Sequence, residues 1–269
     1  MPKIIDVHIH SNFSDEIMKK GASYSEVSYS LTGLKKEMQS ANVQKVFSIA
    51  IKFFEGNLSK NFQTPLIDSE EEKDILKIAS INPFKINKNS LKSTEMLLKQ
   101  DKIKGLKIYL GYYHLYPSDK RYSAFYNLAA KYDVPVIFHT GDNYSLKAKL
   151  KFAHPLNVDE VAVDFPKTKF VLAHFGNPWI IDGAEVVFKN DNVYADLSGW
   201  AIGNLKEIHG VNTESFKSAL DYCGYDKIMY GSDWPLVQMK PYINLIEKMI
   251  PSTKRNKVFY KNAKKLFKL

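Results

Sequence analysis

The 269-residue sequence predicts a single (β/α)8 barrel domain spanning 1–269. Three observations carry that expectation. Eight short β-rich runs recur along the chain: KIIDVHI, QKVFSIAI, ILKIASIN, IKGLKIYL, VPVIFHT, KFVLAHF, NVYADLS and KIMYGSD. The segments between them are long enough for the crossovers that parallel neighbours need, and eight strands suffice to close a barrel. No glycine-rich phosphate turn follows the first run, which argues against an open doubly wound sheet.

The first run continues as IIDVHIH. Side chains of a strand alternate between faces, so Ile5, Val7 and Ile9 are expected to pack on one side, with Asp6, His8 and His10 on the other. A carboxylate and two imidazoles on one face are the groups that a metal site backed by a supporting acid needs. Further on, residues 52–70, which include FFEGNLSKNFQTPLIDSE, break the alternation and read as a long loop, either a lid over the site or an irregular connection. SLKSTEMLLKQ, YSAFYNLAAKYD, TESFKSALDYCG and KPYINLIEKMI read as amphipathic helices between strands. In the closing TKRNKVFYKNAKKLFKL, apolar Val258, Phe259, Ala263, Leu266 and Phe267 recur near helical spacing, which turns the lysines to solvent.

Composition narrows the function classes. Hydrophobic residues make up 45% and charged residues 25%, as in a folded globular chain. No stretch reaches the ~20 apolar residues of a membrane span, and the start leaves no room for a signal peptide. A single cysteine, Cys223, excludes an internal disulfide framework and suits a reducing compartment, so a cytoplasmic location is expected. The net charge of +9 is almost all lysine, since Arg121 and Arg255 are the only arginines. Spread lysines without arginine forks point to a solvated surface and not to nucleic acid or a membrane.

Polar residues gather at the carboxyl ends of the runs. His8 and His10 close the first, Lys107 lies in the fourth and His139 ends the fifth; His174 ends the sixth, Asp196 lies in the seventh and Asp233 ends the eighth. In a barrel these ends share one rim, where active sites are built. His114, His154 and His209 fall in loop-like stretches and read as surface residues.

The segments DVHIH, GLKIY, VIFHTG, VLAHFG and YGSDWP resemble the amidohydrolase superfamily, above all its amidohydrolase-related group of lactone hydrolases and non-oxidative decarboxylases. The resemblance runs from Ile4 to the closing NAKKLF. It implies that His8, His10 and His139 ligate one divalent ion, with zinc expected and Asp233 as the fourth ligand or a close neighbour. Such a site keeps a position for water, whose pKa the metal lowers towards ~7. Asp233 would take the water's proton, His174 would orient that water or polarise the substrate carbonyl, and Asp6 would hydrogen-bond a ligand imidazole from behind. A second metal is implied only if Lys107 is carbamylated; a plain Lys107 ammonium would bind a substrate carboxylate or form a salt bridge.

Tyr112, Tyr113, Trp179, Trp200 and Trp234 lie near the rim, and Trp234, next to Asp233, is the expected substrate contact. The implied enzyme is a metal-dependent hydrolase of a small-molecule ester, lactone or amide, compatible with homodimers. Three rivals remain. The same ligands serve decarboxylases of unsaturated or aromatic acids. HIHSNFSDE is similar to the opening of polymerase-and-histidinol-phosphatase phosphoesterases, although Glu16 stands where that group usually has glycine. The third is a metal-binding barrel without activity.

Overall fold

The computed structural model describes residues 3–54, 57–68, 72–208 and 212–269. Eight strands form one sheet: β1 (Ile4–Ile9), β2 (Val43–Ile49), β3 (Ile75–Ser80), β4 (Leu106–Ile108), β5 (Val136–His139), β6 (Phe170–Ala173), β7 (Val193–Asp196) and β8 (Ile228–Met229). Every neighbouring pair is parallel and follows chain order. The sheet closes on itself after β8. Ile9 bridges Trp234 in parallel, Val7 N donates to the Tyr230 carbonyl at 3.0 Å, and Asp233 N donates to the His8 carbonyl at 2.8 Å. The result is a (β/α)8 barrel, as the run count predicts.

The helices follow ordinary capping and amphipathic logic. Lys88–Lys99 starts with a capping box between Asn87 and Ser90 and buries Ser90, Thr94 and Leu98, four residues apart on one face. Ser123–Tyr132, Thr213–Cys223 and Met239–Glu247 match three further expected helices. The closing segment is helical in three parts, Ser252–Asn256, a π turn at Lys257–Lys261, and Asn262–Phe267; it buries all five apolar residues named from its sequence. Among the described residues, no helix is long and apolar enough to cross a membrane.

Two expectations change. Ile5 and Val7 pack with Phe47, Ile78, Ile137, Val171 and Met229, but Ile9 packs in the other core cluster with Ile4, Leu106 and Ile108. Strict alternation fails because the β1–β2 register shifts between Asp6 and Ile9, which reorients side chains locally. The described part of 52–70 is also more ordered than a plain loop. Phe53–Phe54 pairs with Asn57–Leu58, and Leu58 and Phe62 are buried. Asp68 Oδ2 then accepts Ile51 N at 2.5 Å, so residues 57–68 pack on the barrel, and none of them lines the mouth cavity.

Candidate metal centre

The carboxyl ends of the strands surround a cavity of about 280 Å³. Five of the residues expected there line it: His8, His10, His139, His174 and Asp233. Backbone geometry helps aim two of them. His174 and Asp233, each just past a strand end, hold left-handed φ angles of 62° and 64°. That region is uncommon outside glycine, and such residues concentrate at functional sites. Gly199 follows the seventh strand at φ 68°; a Cβ there would sit 2.5 Å from His174 Nδ1, so only glycine leaves that ring its place.

The rings of His8 and His10 are each held by one nitrogen. His8 Nδ1 lies 3.0 Å from Asp196 Oδ2, and His10 Nδ1 lies 2.9 Å from the Ile49 carbonyl. Both acceptors require an N–H on Nδ1, which leaves the Nε2 lone pairs free. Those two Nε2 atoms converge on Asp233 Oδ1, at 3.6 Å from His8 and 3.2 Å from His10. Asp233 Oδ1 is buried and has no hydrogen-bond partner. His8, His10 and Asp233 therefore form a three-donor group with ligand atoms within 4.8 Å of one another. An orphaned carboxylate oxygen between two imidazole lone pairs suits a divalent cation.

His139 and His174 stand together beside this group. His139 Nδ1 is 3.2 Å from His174 Nε2, and His139 Nε2 donates to the Asp142 carbonyl at 2.7 Å. The His174 ring centroid lies 4.9 Å from those of both His8 and His139. The Ser198 hydroxyl joins the set, 3.0 Å from His8 Nδ1 and 2.9 Å from His174 Nδ1, with Asp196 Oδ1 as its third neighbour.

Electrostatics keep the donors ready. Burial lowers the pKa of His8 and holds His139 well below 6.5; burial also lowers His174 to about 4, against the opposing pull of Asp233. Burial alone would raise Asp196 and Asp233, yet the neighbouring imidazoles hold both below the usual carboxylate range. Neutral imidazoles beside an ionised carboxylate are the protonation states that metal ligation needs.

The family model for amidohydrolases matches residues 79–269, more than half of the chain. The chain belongs to the amidohydrolase family. No curated protein sequence matches this amidohydrolase. Its fold is similar to an uncharacterized TIM-barrel protein from Bordetella bronchiseptica, at 18% identity and TM-score 0.76, with 98% of each chain covered. It is similar to a dihydroxybenzoic acid decarboxylase from a Polaromonas species with bound manganese, at 14% identity and TM-score 0.66, covering 100% of this chain and 98% of that one. It is also similar to a probable 2-pyrone-4,6-dicarboxylic acid hydrolase from Acinetobacter baumannii with citric acid bound, at 15% identity and TM-score 0.65, covering 99% and 100%.

Three expected contacts of the amidohydrolase are corrected. Asp6 Oδ1 is taken up by backbone amides, His8 N at 3.1 Å and Ser232 N at 3.0 Å, and meets no ligand imidazole; the His8 imidazole is met by Asp196 at the end of β7 instead. Trp234 is fully buried outside the cavity, its indole donating to Glu37 Oε1 at 3.0 Å and packing against Tyr29 and Phe13. Lys107 is also fully buried and does not line the cavity, so it offers no surface to a substrate carboxylate. Its Nζ has no hydrogen-bond or salt-bridge partner and lies 5.2 Å from the Tyr109 ring centroid; burial pulls its pKa to about 8. Of the five rim aromatics only Tyr112 lines the cavity. His114 stacks on Phe152 and His154 packs at a tilt against Trp179, neither lining the cavity, and His209 lies outside the described residues. Asp196 was visible in NVYADLS, but no sequence signal separated it from an ordinary strand carboxylate.

Two measurements follow from this geometry. Asp196→Asn should weaken metal affinity about 10–100-fold in chelator competition, because the acid that fixes the His8 tautomer is gone; unchanged affinity would contradict that role. A buried imidazole at about 4, against 6.5 unfolded, favours the fold fully above pH 6.5 and loses that contribution as pH falls towards 4. The urea midpoint of the metal-free protein should therefore drop between pH 7 and 4.5, and His174→Gln should flatten part of that drop. An identical slope in the variant would mean that His174 is not held neutral.

Proposed function

We propose that this amidohydrolase hydrolyses a carboxylic ester, lactone or amide of a small molecule, with one divalent ion at the mouth of the barrel. The observation that carries the reading is the convergence of two held Nε2 atoms on the orphaned Asp233 oxygen. His8, His10 and Asp233 would hold the ion, with His139 as the further imidazole on the same wall and zinc as the expected metal. The manganese in the Polaromonas decarboxylase supports a divalent ion and makes manganese the alternative. Such an ion, when bound, polarises a carbonyl and makes water acidic enough to attack near neutral pH.

The rest is done by the chain's own side chains. Asp233, ionised and acceptor-only, takes a proton from the attacking water and can return it to the leaving group. His174, held between the Ser198 hydroxyl and His139 Nδ1, would orient the attacking water or polarise the substrate carbonyl by exchanging its contact to His139 for one to the substrate. Tyr112 closes the wall beside His139, its ring centroid 5.0 Å from the imidazole. The chain would work as one domain over 1–269, in a reducing cytoplasm, alone or as a homodimer.

Decarboxylation is the competing reading, because the Polaromonas decarboxylase is similar over the whole chain. CO₂ release from an aromatic or unsaturated acid, without turnover of esters, lactones or amides, would decide for it. For the hydrolase, Asp233→Asn should lower kcat about a hundredfold to ten-thousandfold while thermal unfolding shifts little. Undiminished kcat in the metal-loaded variant would remove Asp233 as the base.

A further inference from the structure

The walls of the cavity differ sharply from its floor. The floor carries the imidazoles and Asp233, whereas one wall is apolar. That wall comes partly from the helix Glu16–Tyr24, whose N-cap Asp15 accepts Ile17 N and Met18 N. Ile17, Met18, Gly21 and Tyr24 recur at helical spacing and turn one face of this helix towards the cavity. Ile51, Ile202 and Leu236 continue the same surface from other elements. The helix closes tightly on it: a Cβ at Gly21 would come within 2.4 Å of Leu236 Cδ2.

Cationic groups are sparse around this wall. Among the described residues lining the cavity, Lys20 is the one lysine, exposed at the rim, and the exposed carboxylate of Asp142 stands on the same rim. Neither arginine takes part. Arg121 forms a two-point pair with Asp119, at 2.7 Å for each bond, and Arg255 donates to the Glu247 carbonyl at 2.7 Å. Lys107 is sealed beneath the cavity. A substrate carboxylate set against Ile17, Met18, Ile51, Ile202 and Leu236 would lose its water to an apolar surface, with Lys20, exposed and solvated at the rim, as the one lysine among the described residues lining the cavity. Burying an unpaired carboxylate is among the costlier events in binding.

We infer that the amidohydrolase takes an acyl compound whose non-reacting part is apolar and uncharged, and that this wall rejects substrates bearing a second carboxylate. The inference rests on the proposed function for the position of the reacting carbonyl. It separates this site from those that handle di- and tricarboxylic acids, and it makes the helix Glu16–Tyr24 with Ile202 and Leu236 the specificity element.

The test uses binding, so that it stands apart from turnover. Pentanohydroxamic acid and 4-carboxybutanohydroxamic acid differ only in a terminal methyl or carboxylate, and both are titrated calorimetrically into the zinc-loaded full-length protein. The apolar ligand should bind about 30-fold more tightly or better. Ile202→Arg, at a half-exposed position, should cut that ratio to about 3-fold or less by pairing the carboxylate. Equal or tighter binding of the carboxylated ligand, or no binding of either, would overturn the inference, as would an unchanged ratio in a folded Ile202→Arg protein. If the preference holds while no ester, lactone or amide is turned over, the pocket inference stands and the hydrolase reading fails.

Discussion

The hydrogen bond between Asp196 and His8 is the constraint on which the mouth of the barrel depends. An imidazole has two nitrogens, and a ligand site needs a chosen one pointing inward with its lone pair free. Asp196 makes that choice for His8 by accepting from Nδ1 at 3.0 Å, and its other oxygen accepts the backbone amides of His174 at 3.1 Å and Ser198 at 3.0 Å. One fully buried carboxylate thus fixes a ring from β1, the turn after β6 and the turn after β7. The burial that makes such a group costly also makes its bonds strong, provided each oxygen has partners. Here both do.

The barrel seam and the candidate centre are the same piece of structure. Asp233 N donates to the His8 carbonyl and His10 N donates to the Trp234 carbonyl at 2.7 Å, so the bonds that close the sheet also set the distance between the two imidazoles and the carboxylate. Glu37 ties the seam to the outer layer, accepting the Trp234 indole at 3.0 Å and Met239 N at 2.7 Å. Movement of the eighth strand against the first would therefore disturb the donor group directly. Sites assembled at strand ends gain their precision from this kind of rigid support.

Much of this was legible in the sequence because strand ends and β-rich runs are local signals. All eight runs became barrel strands, and the two histidines of DVHIH, His139, His174 and Asp233 all reached one cavity. What sequence could not resolve was relational. Asp6 and Asp196 are both strand carboxylates; Asp6 is taken up by two backbone amides, whereas Asp196 at the end of β7 reaches the imidazole. Trp234 adjoins Asp233 in sequence, yet its indole goes to Glu37, 197 residues away. Lys107 has the right strand and the right parity, but its depth in the barrel has no one-dimensional signature. The helix Glu16–Tyr24, which shapes the apolar wall, was hidden in a stretch read only as the continuation of the histidine motif.

The proposal that His8, His10 and Asp233 form the core of a metal centre meets its most direct test in metal stoichiometry. Elemental analysis of protein purified without added metal or a histidine tag, beside a His8→Ala/His10→Ala variant, measures it. About one divalent ion per chain, lost in the variant, is the expected result. No metal in either protein, even after reconstitution with zinc and manganese, would contradict the central claim.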